Sequence, residues 1–249
     1  MPNPRESRVP ETGKPRDYFA TTHWTQVLHA GGSDSTAAHA ALAQLFQTYW
    51  YPLYAYVRRR GNSPADAEDL TQGFFARLLE LDSLAHVSRE KGKFRSFLLA
   101  SLNHYISDEW DRARAQKRGQ GRVISLDASL AEDRFSREPA DTLTPEKLFE
   151  RKWAMTLLDS VVQRIQREYE SADKGALFLA LRFSIAGEAE EPYATLAVKL
   201  GLSEPALRVA VHRLRQRYRQ LLRDEIARTV ATEAEVDGEI QHLFQALAG

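Results

Sequence analysis

The stretch YATLAVKLGLSEPALRVAVHRLRQRYR, residues 193–219, decides the reading of this chain. Thr195 to Leu200 is a short apolar-rich segment that ends at Gly201, the residue type that most readily takes the left-handed conformation closing a helix. Ser203 then stands at a cap position with Pro205 just inside, the order in which a new helix begins. Leu207, Val211 and Leu214 recur at helical spacing and predict its inward face. Two helices joined by a glycine turn form the helix-turn-helix pattern, whose second helix can lie in a DNA major groove. That helix offers Ser203, Glu204, Arg208, His212, Arg213 and Arg215 to bases or phosphates, and arginine suits both guanine edges and phosphate. Two surface helices with a solvated basic face carry the same pattern, so this stretch alone leaves both readings open.

Outward from it, charge is sorted along the chain. Six arginines (208, 213, 215, 217, 219, 223) and no acid lie between Arg208 and Arg223. Six acids and two arginines lie between Asp127 and Glu146. The formal net charge of zero over 249 residues hides this segregation, which says more about partners than the sum does. Hydrophobic residues at 43% and charged residues at 27% are the balance of an ordinary folded protein. The chain has no cysteine, which removes disulfides, thiolate zinc sites and cysteine nucleophiles together and suits a reducing cytoplasm. No apolar run approaches the roughly 18 residues of a membrane span, so no membrane insertion is expected. No HExxH, phosphate loop or G-x-S-x-G elbow occurs. The seven histidines are scattered without ligand spacing. No catalytic residue, metal site or cofactor is expected.

An all-α chain of two helical domains follows from the periodicity. Residues 1–17, rich in proline and charge, read as a mobile tail. A first helical domain spans 18–116. In it Thr22 can cap a short helix, and Ser35 to Arg60 reads as helix, with Pro52 expected to kink or break it near Tyr51. Gly61 and Asn62 stop it. Ser63 at the cap, Pro64 in the first turn and Asp66 three residues after the cap begin the next helix. Its buried stripe is Leu70, Phe74 and Leu78, which leaves Asp66, Asp69 and Gln72 largely outside. A loop from about Asp82 to Lys93 holds Arg89, Lys91 and Lys93. A helix from Phe94 to about Lys117 follows, with Phe94, Leu98, Leu102 and Tyr105 or Ile106 inward and a basic end that includes Arg112 and Arg114. A linker at 117–143 is expected to lack structure. A second helical domain spans 144–224, opened by Thr144 and Pro145. A C-terminal extension, 225–249, places Val236, Ile240, Leu243, Phe244 and Leu247 on one side of a helix, suited to docking on the rest of the chain.

Three of these stretches carry a resemblance. LGLSEPALRVAVHRLRQRYRQLL, from Leu200, resembles region 4 of the extracytoplasmic-function (ECF) RNA polymerase sigma factors, which reads the minus-thirty-five element. SPADAEDLTQGFFARLLE, from Ser63, resembles their region 2.2, which binds the clamp helices of the largest polymerase subunit. GKFRSFLLASLNHYISDEWDRARAQKRG, from Gly92, resembles regions 2.3 and 2.4, which melt and read the minus-ten element. The three occur in the family's order and cover most of the chain.

The resemblance implies a non-enzymatic cytoplasmic sigma factor whose partners are core RNA polymerase, promoter DNA and, in some members, an anti-sigma factor or other regulator. It assigns polymerase binding to Asp66, Asp69 and Gln72. It assigns the opened strand to Arg89, Lys91, Lys93, Arg95, Asn103, Arg112 and Arg114, where cations meet phosphates and aromatic faces or pockets meet bases. It assigns the duplex to the helix starting at Glu204. The acidic linker would thread the polymerase cleft toward the RNA exit path, where its charge could stand in for RNA. The chain departs from the family at Ala206 and Ala210, where threonine and arginine are common, at Gly73, where glutamate is frequent, and at Ser107, where aspartate is usual. The rival reading is a helix-turn-helix regulator that binds duplex operators without polymerase.

Overall fold

The computed structural model describes residues 35–80, 93–115, 128–136, 143–187, 191–230 and 232–248, and among these every regular element is helical. The 1–17 tail, the Thr22-capped helix and the loop carrying Arg89 and Lys91 lie outside the described residues.

Helix α1, Ser35–Arg59, is the central element. From Tyr49 to Val57 every residue is buried. A helix apolar on all sides belongs inside the molecule rather than at its surface. That burial explains why α1 runs through Pro52 without the break expected there. The proline forfeits one backbone hydrogen bond and costs about 3 kcal/mol in a helix interior. Burying the neighbouring Tyr49, Leu53 and Tyr54 returns about 1.5–3 kcal/mol for each large apolar side chain. The helix ends as expected: Gly61 takes φ +91°, and the Asn62 side chain donates to the Val57 carbonyl at 2.9 Å.

Helix α2, Pro64–Glu80, starts on a reciprocal cap. The Ser63 hydroxyl accepts from the Asp66 amide at 3.1 Å and donates to the Asp66 carboxylate at 2.6 Å. Helix α3, Phe94–Ala115, buries Phe94, Leu98, Leu102 and Ile106. The linker holds an unexpected helix, α4, Ala128–Ser136. Its short sequence gives little periodic signal, and it is fixed by docking on α1. Glu132 binds Arg58 at 2.9 Å and also accepts from the Tyr54 hydroxyl. The Arg134 guanidinium lies 4.1 Å from the centre of the Tyr51 ring.

Helix α5, Pro145–Ser171, is capped by Thr144, whose hydroxyl accepts from the Lys147 amide at 3.3 Å. Its buried stripe of Phe149, Trp153, Leu157, Val161 and Ile165 follows helical spacing. Helix α6, Gly175–Leu181, continues as a 3₁₀ turn, Arg182–Ala186. Helices α7, Tyr193–Leu200, and α8, Glu204–Ala227, flank Gly201 at φ +64°, the turn that the sequence predicts. A 3₁₀ turn, Glu233–Glu235, leads into α9, Val236–Ala248.

Helix α5 organises the packing. One side meets α1 and the other meets α8, while α9 lies against α5 and α8. A single apolar cluster therefore runs from Phe46 and Phe75 through Phe149 and Trp153 to Leu221 and Leu243. Among the described residues, no helix is long and apolar enough to cross a membrane.

Candidate polymerase and DNA-binding surfaces

On α2, Asp66 and Asp69 are exposed. Asp66 also serves its own helix cap, so Asp69 is the carboxylate with no local structural duty. Gln72 differs from the expectation. It is only 5% exposed, and its amide donates to Glu68 at 2.8 Å. At about 100° per residue, position 72 falls beside Phe75 on the flank of the buried arc formed by Ala67, Thr71, Phe74 and Leu78. The stripe read from Leu70, Phe74 and Leu78 was therefore too narrow and turned too far from Gln72. Gly73 has a packing reason: a Cβ there would run into the hydroxyl of Tyr105 on α3.

At the start of α3, Lys93 and Arg95 are not turned to solvent as free phosphate contacts. Lys93 pairs with Glu239 of α9 at 2.6 Å. Arg95 pairs with the same carboxylate and, through Nε, with Glu150 of α5 at 2.7 Å. Arg95 is 4% exposed and its guanidinium stacks 4.8 Å from the Trp153 ring centre. Burial, and then the neighbouring Arg95, pull the Lys93 ammonium below its ordinary range. In this arrangement carboxylates occupy both cations. The sequence carried a signal for it. Glu239 sits three residues after Val236 and four before Leu243, inside the apolar stripe of α9, where a carboxylate needs a buried partner.

Further along α3, Asn103 is half-buried, and its side-chain oxygen accepts from Tyr56 at 2.9 Å and from Arg60 at 2.6 Å. Arg60 was not among the expected site residues, although the run Arg58–Arg59–Arg60 at the end of α1 marks it. Its guanidinium lies 6.0 Å from the ring centre of Trp110, which is 47% exposed. An exposed aromatic beside a cation is what an unstacked base and its phosphate require. Arg112 is exposed but paired with Glu109 at 2.6 Å. Phe94 is core and Phe97 half-buried against it. The side chain of Arg114 lies outside the described residues.

On α8 the arginine run divides. Arg208 pairs with Glu204 at 2.6 Å and lies 5.2 Å from the Tyr193 ring centre. Arg217 pairs with Glu168 at 2.6 Å and holds that carboxyl below its ordinary range. Arg223 pairs with Asp237. Arg215 is half-buried, and its Nε donates to the Ser184 carbonyl at 2.7 Å. That contact fastens α8 to the 3₁₀ turn and removes Arg215 from the outward set. Ser203 caps the helix, accepting from the Ala206 amide at 3.4 Å. His212 and Arg213 project outward, both exposed.

Helices α1 to α3 thus form a compact unit with an acidic outer face on α2 and polar and aromatic groups along α3. Over this unit the family model described as Sigma-70 region 2 matches residues 45–116. No curated protein and no solved structure matches the chain. The stretch from 45 to 116 is thus similar to region 2 of the sigma-70 factors, a likeness that supports a sigma-type protein of transcription initiation.

Proposed function

We propose that the chain is an ECF-type sigma factor that binds core RNA polymerase and directs promoter recognition, performing no bond chemistry itself. The observation carrying this reading is that the region 2 match falls on a unit whose α2 helix presents Asp69 to solvent. A carboxylate on an exposed helical face can take charge-assisted hydrogen bonds from arginines of a partner helix. Asp66 flanks it, and Gln72 contributes by packing rather than by contact. For the opened promoter strand the supporting groups are Lys93, Arg95, Asn103, Arg112 and Arg60 with Trp110; Arg89, Lys91 and Arg114 extend that set by resemblance. The α7–Gly201–α8 pair supplies a second DNA surface through His212, Arg213 and the Glu204–Arg208 pair, with Ser203 at its leading end. Alanine at 210 leaves this helix with fewer cations than is common in the family.

A pull-down of core RNA polymerase by the full-length protein, with Asp69→Arg as control, tests the reading. Capture by the parent and loss of capture by a variant with an unchanged melting curve are expected. If the parent captures no polymerase at moderate salt yet binds duplex DNA tightly, the operator-binding regulator replaces it.

A further inference from the structure

The N-terminus of α3 is held by more than its own domain. The Phe94 amide donates to the Thr229 carbonyl, beyond the end of α8, at 3.4 Å. Lys93 and Arg95 both meet Glu239, which is 1% exposed. Arg95 also meets Glu150, and Glu150 in turn meets His242 of α9 at 2.9 Å. Two cations, two carboxylates and a histidine from three helices thus form one cluster, lying on the face of Trp153.

The element that completes this cluster is slight. Helix α9 has 13 residues, about the length at which an isolated helix is marginal. Its buried residues are Val236, Glu239 and Leu243, and Phe244 is exposed. Ile240, Ala246 and Leu247 add partly buried contacts, and the Arg223–Asp237 pair ties it to α8 at the surface. A short terminal element with three fully buried side chains is of the kind that opens before the core does.

We propose that α9 is a carboxylate latch: in the free protein Glu239, backed by Glu150, occupies Lys93 and Arg95, and single-stranded DNA must displace α9 to reach them. The proposal rests on the assignment of those two cations to the opened strand. Its chemistry is exchange of one anion for another. A phosphate brings the charge that Glu239 withdraws, so the exchange ends with both cations compensated, and Glu150 can stay with Arg95 meanwhile. The exchange costs binding affinity in proportion to how seldom α9 is open. DNA binding by the intact protein is therefore weak until something else, such as engagement with polymerase, favours the open form.

The test is fluorescence anisotropy with a labelled single-stranded DNA 20-mer of mixed sequence at low salt. Glu239→Gln and a chain ending at residue 231 are both expected to bind at least tenfold more tightly than the full chain. Adding Lys93→Ala to Glu239→Gln should remove the gain. Equal affinity of the full chain and a folded Glu239→Gln variant overturns the latch. The unaltered protein provides a readout independent of how the variants fold. On saturation with the same DNA, the amides of 236–248 should lose protection from hydrogen exchange while those of α5 keep theirs; protection retained throughout α9 overturns the latch as well. The sigma reading is judged separately by polymerase capture. Capture with no change at Glu239 rejects the latch alone, and the tenfold gain without capture rejects the sigma reading alone.

Discussion

At the scale of single residues, many charged groups among the described residues pair with one another. Glu132 shows how. Its carboxyl accepts from Arg58 and Tyr54, and the hydrogen bond from Arg58 is the chief reason it is held below the ordinary glutamate range. A carboxylate depressed in the folded state stabilises the fold above its unfolded pKa, about 4.3, and that contribution fades as pH falls through the lower folded value. The Glu132→Gln variant should therefore be less stable than the parent at pH 7, with the gap closing below about pH 4, as followed by urea unfolding at a series of pH values. A gap independent of pH would mean that Glu132 acts by packing alone. The sequence announced the residue types at this scale but not their partners. Glu132 and Arg58 are 74 residues apart, and no local spacing pairs them. Gln72 and Arg215 were misplaced for a related reason. Both lie on the margin of an apolar stripe, where a few tens of degrees of helix rotation decide between solvent and packing.

At the scale of elements, the strongly periodic segments were legible: the Ser63 and Thr144 caps, the turn at Gly201 and the stripe of α8 stand where the sequence puts them. The misses are elements made by tertiary contact. Helix α4 is stabilised by Arg58, Tyr51 and Tyr54 of α1 rather than by its own propensity. Helix α1 survives Pro52 because the turns around the proline, from Tyr49 to Val57, are buried on all sides. From the latter comes a prediction. Pro52→Ala restores the amide that can donate to the carbonyl four residues earlier and removes a helix penalty of about 3 kcal/mol. Part of this gain is offset by lost proline packing and by a more flexible unfolded chain. A net gain of about 1–2 kcal/mol is expected by urea unfolding. A loss would show that the ring fills space in the core that alanine cannot.

At the scale of the molecule, two helical blocks that the sequence separates at a linker share one apolar cluster through α1 and α5. The separation was read from composition; the contact was invisible because the apolar faces of α1 and α5 are each explicable within their own block. The shared cluster places α9 over the start of α3, so that a C-terminal helix can govern a surface some 140 residues earlier in the chain.

The stacking of Arg95 on Trp153 then acquires an optical meaning. Trp153 is fully buried, with a guanidinium 4.8 Å from its ring centre and the His242 ring 6.4 Å away. In a protein whose other three tryptophans, Trp24, Trp50 and Trp110, are replaced by phenylalanine, its indole emission becomes a built-in gauge of whether those neighbours are in place. Withdrawal of α9 admits water to the ring and moves the emission to longer wavelength. A stopped-flow record of that colour change on mixing with DNA would give the opening rate directly, whereas an emission that stays blue through saturation would mean that the indole keeps its cover.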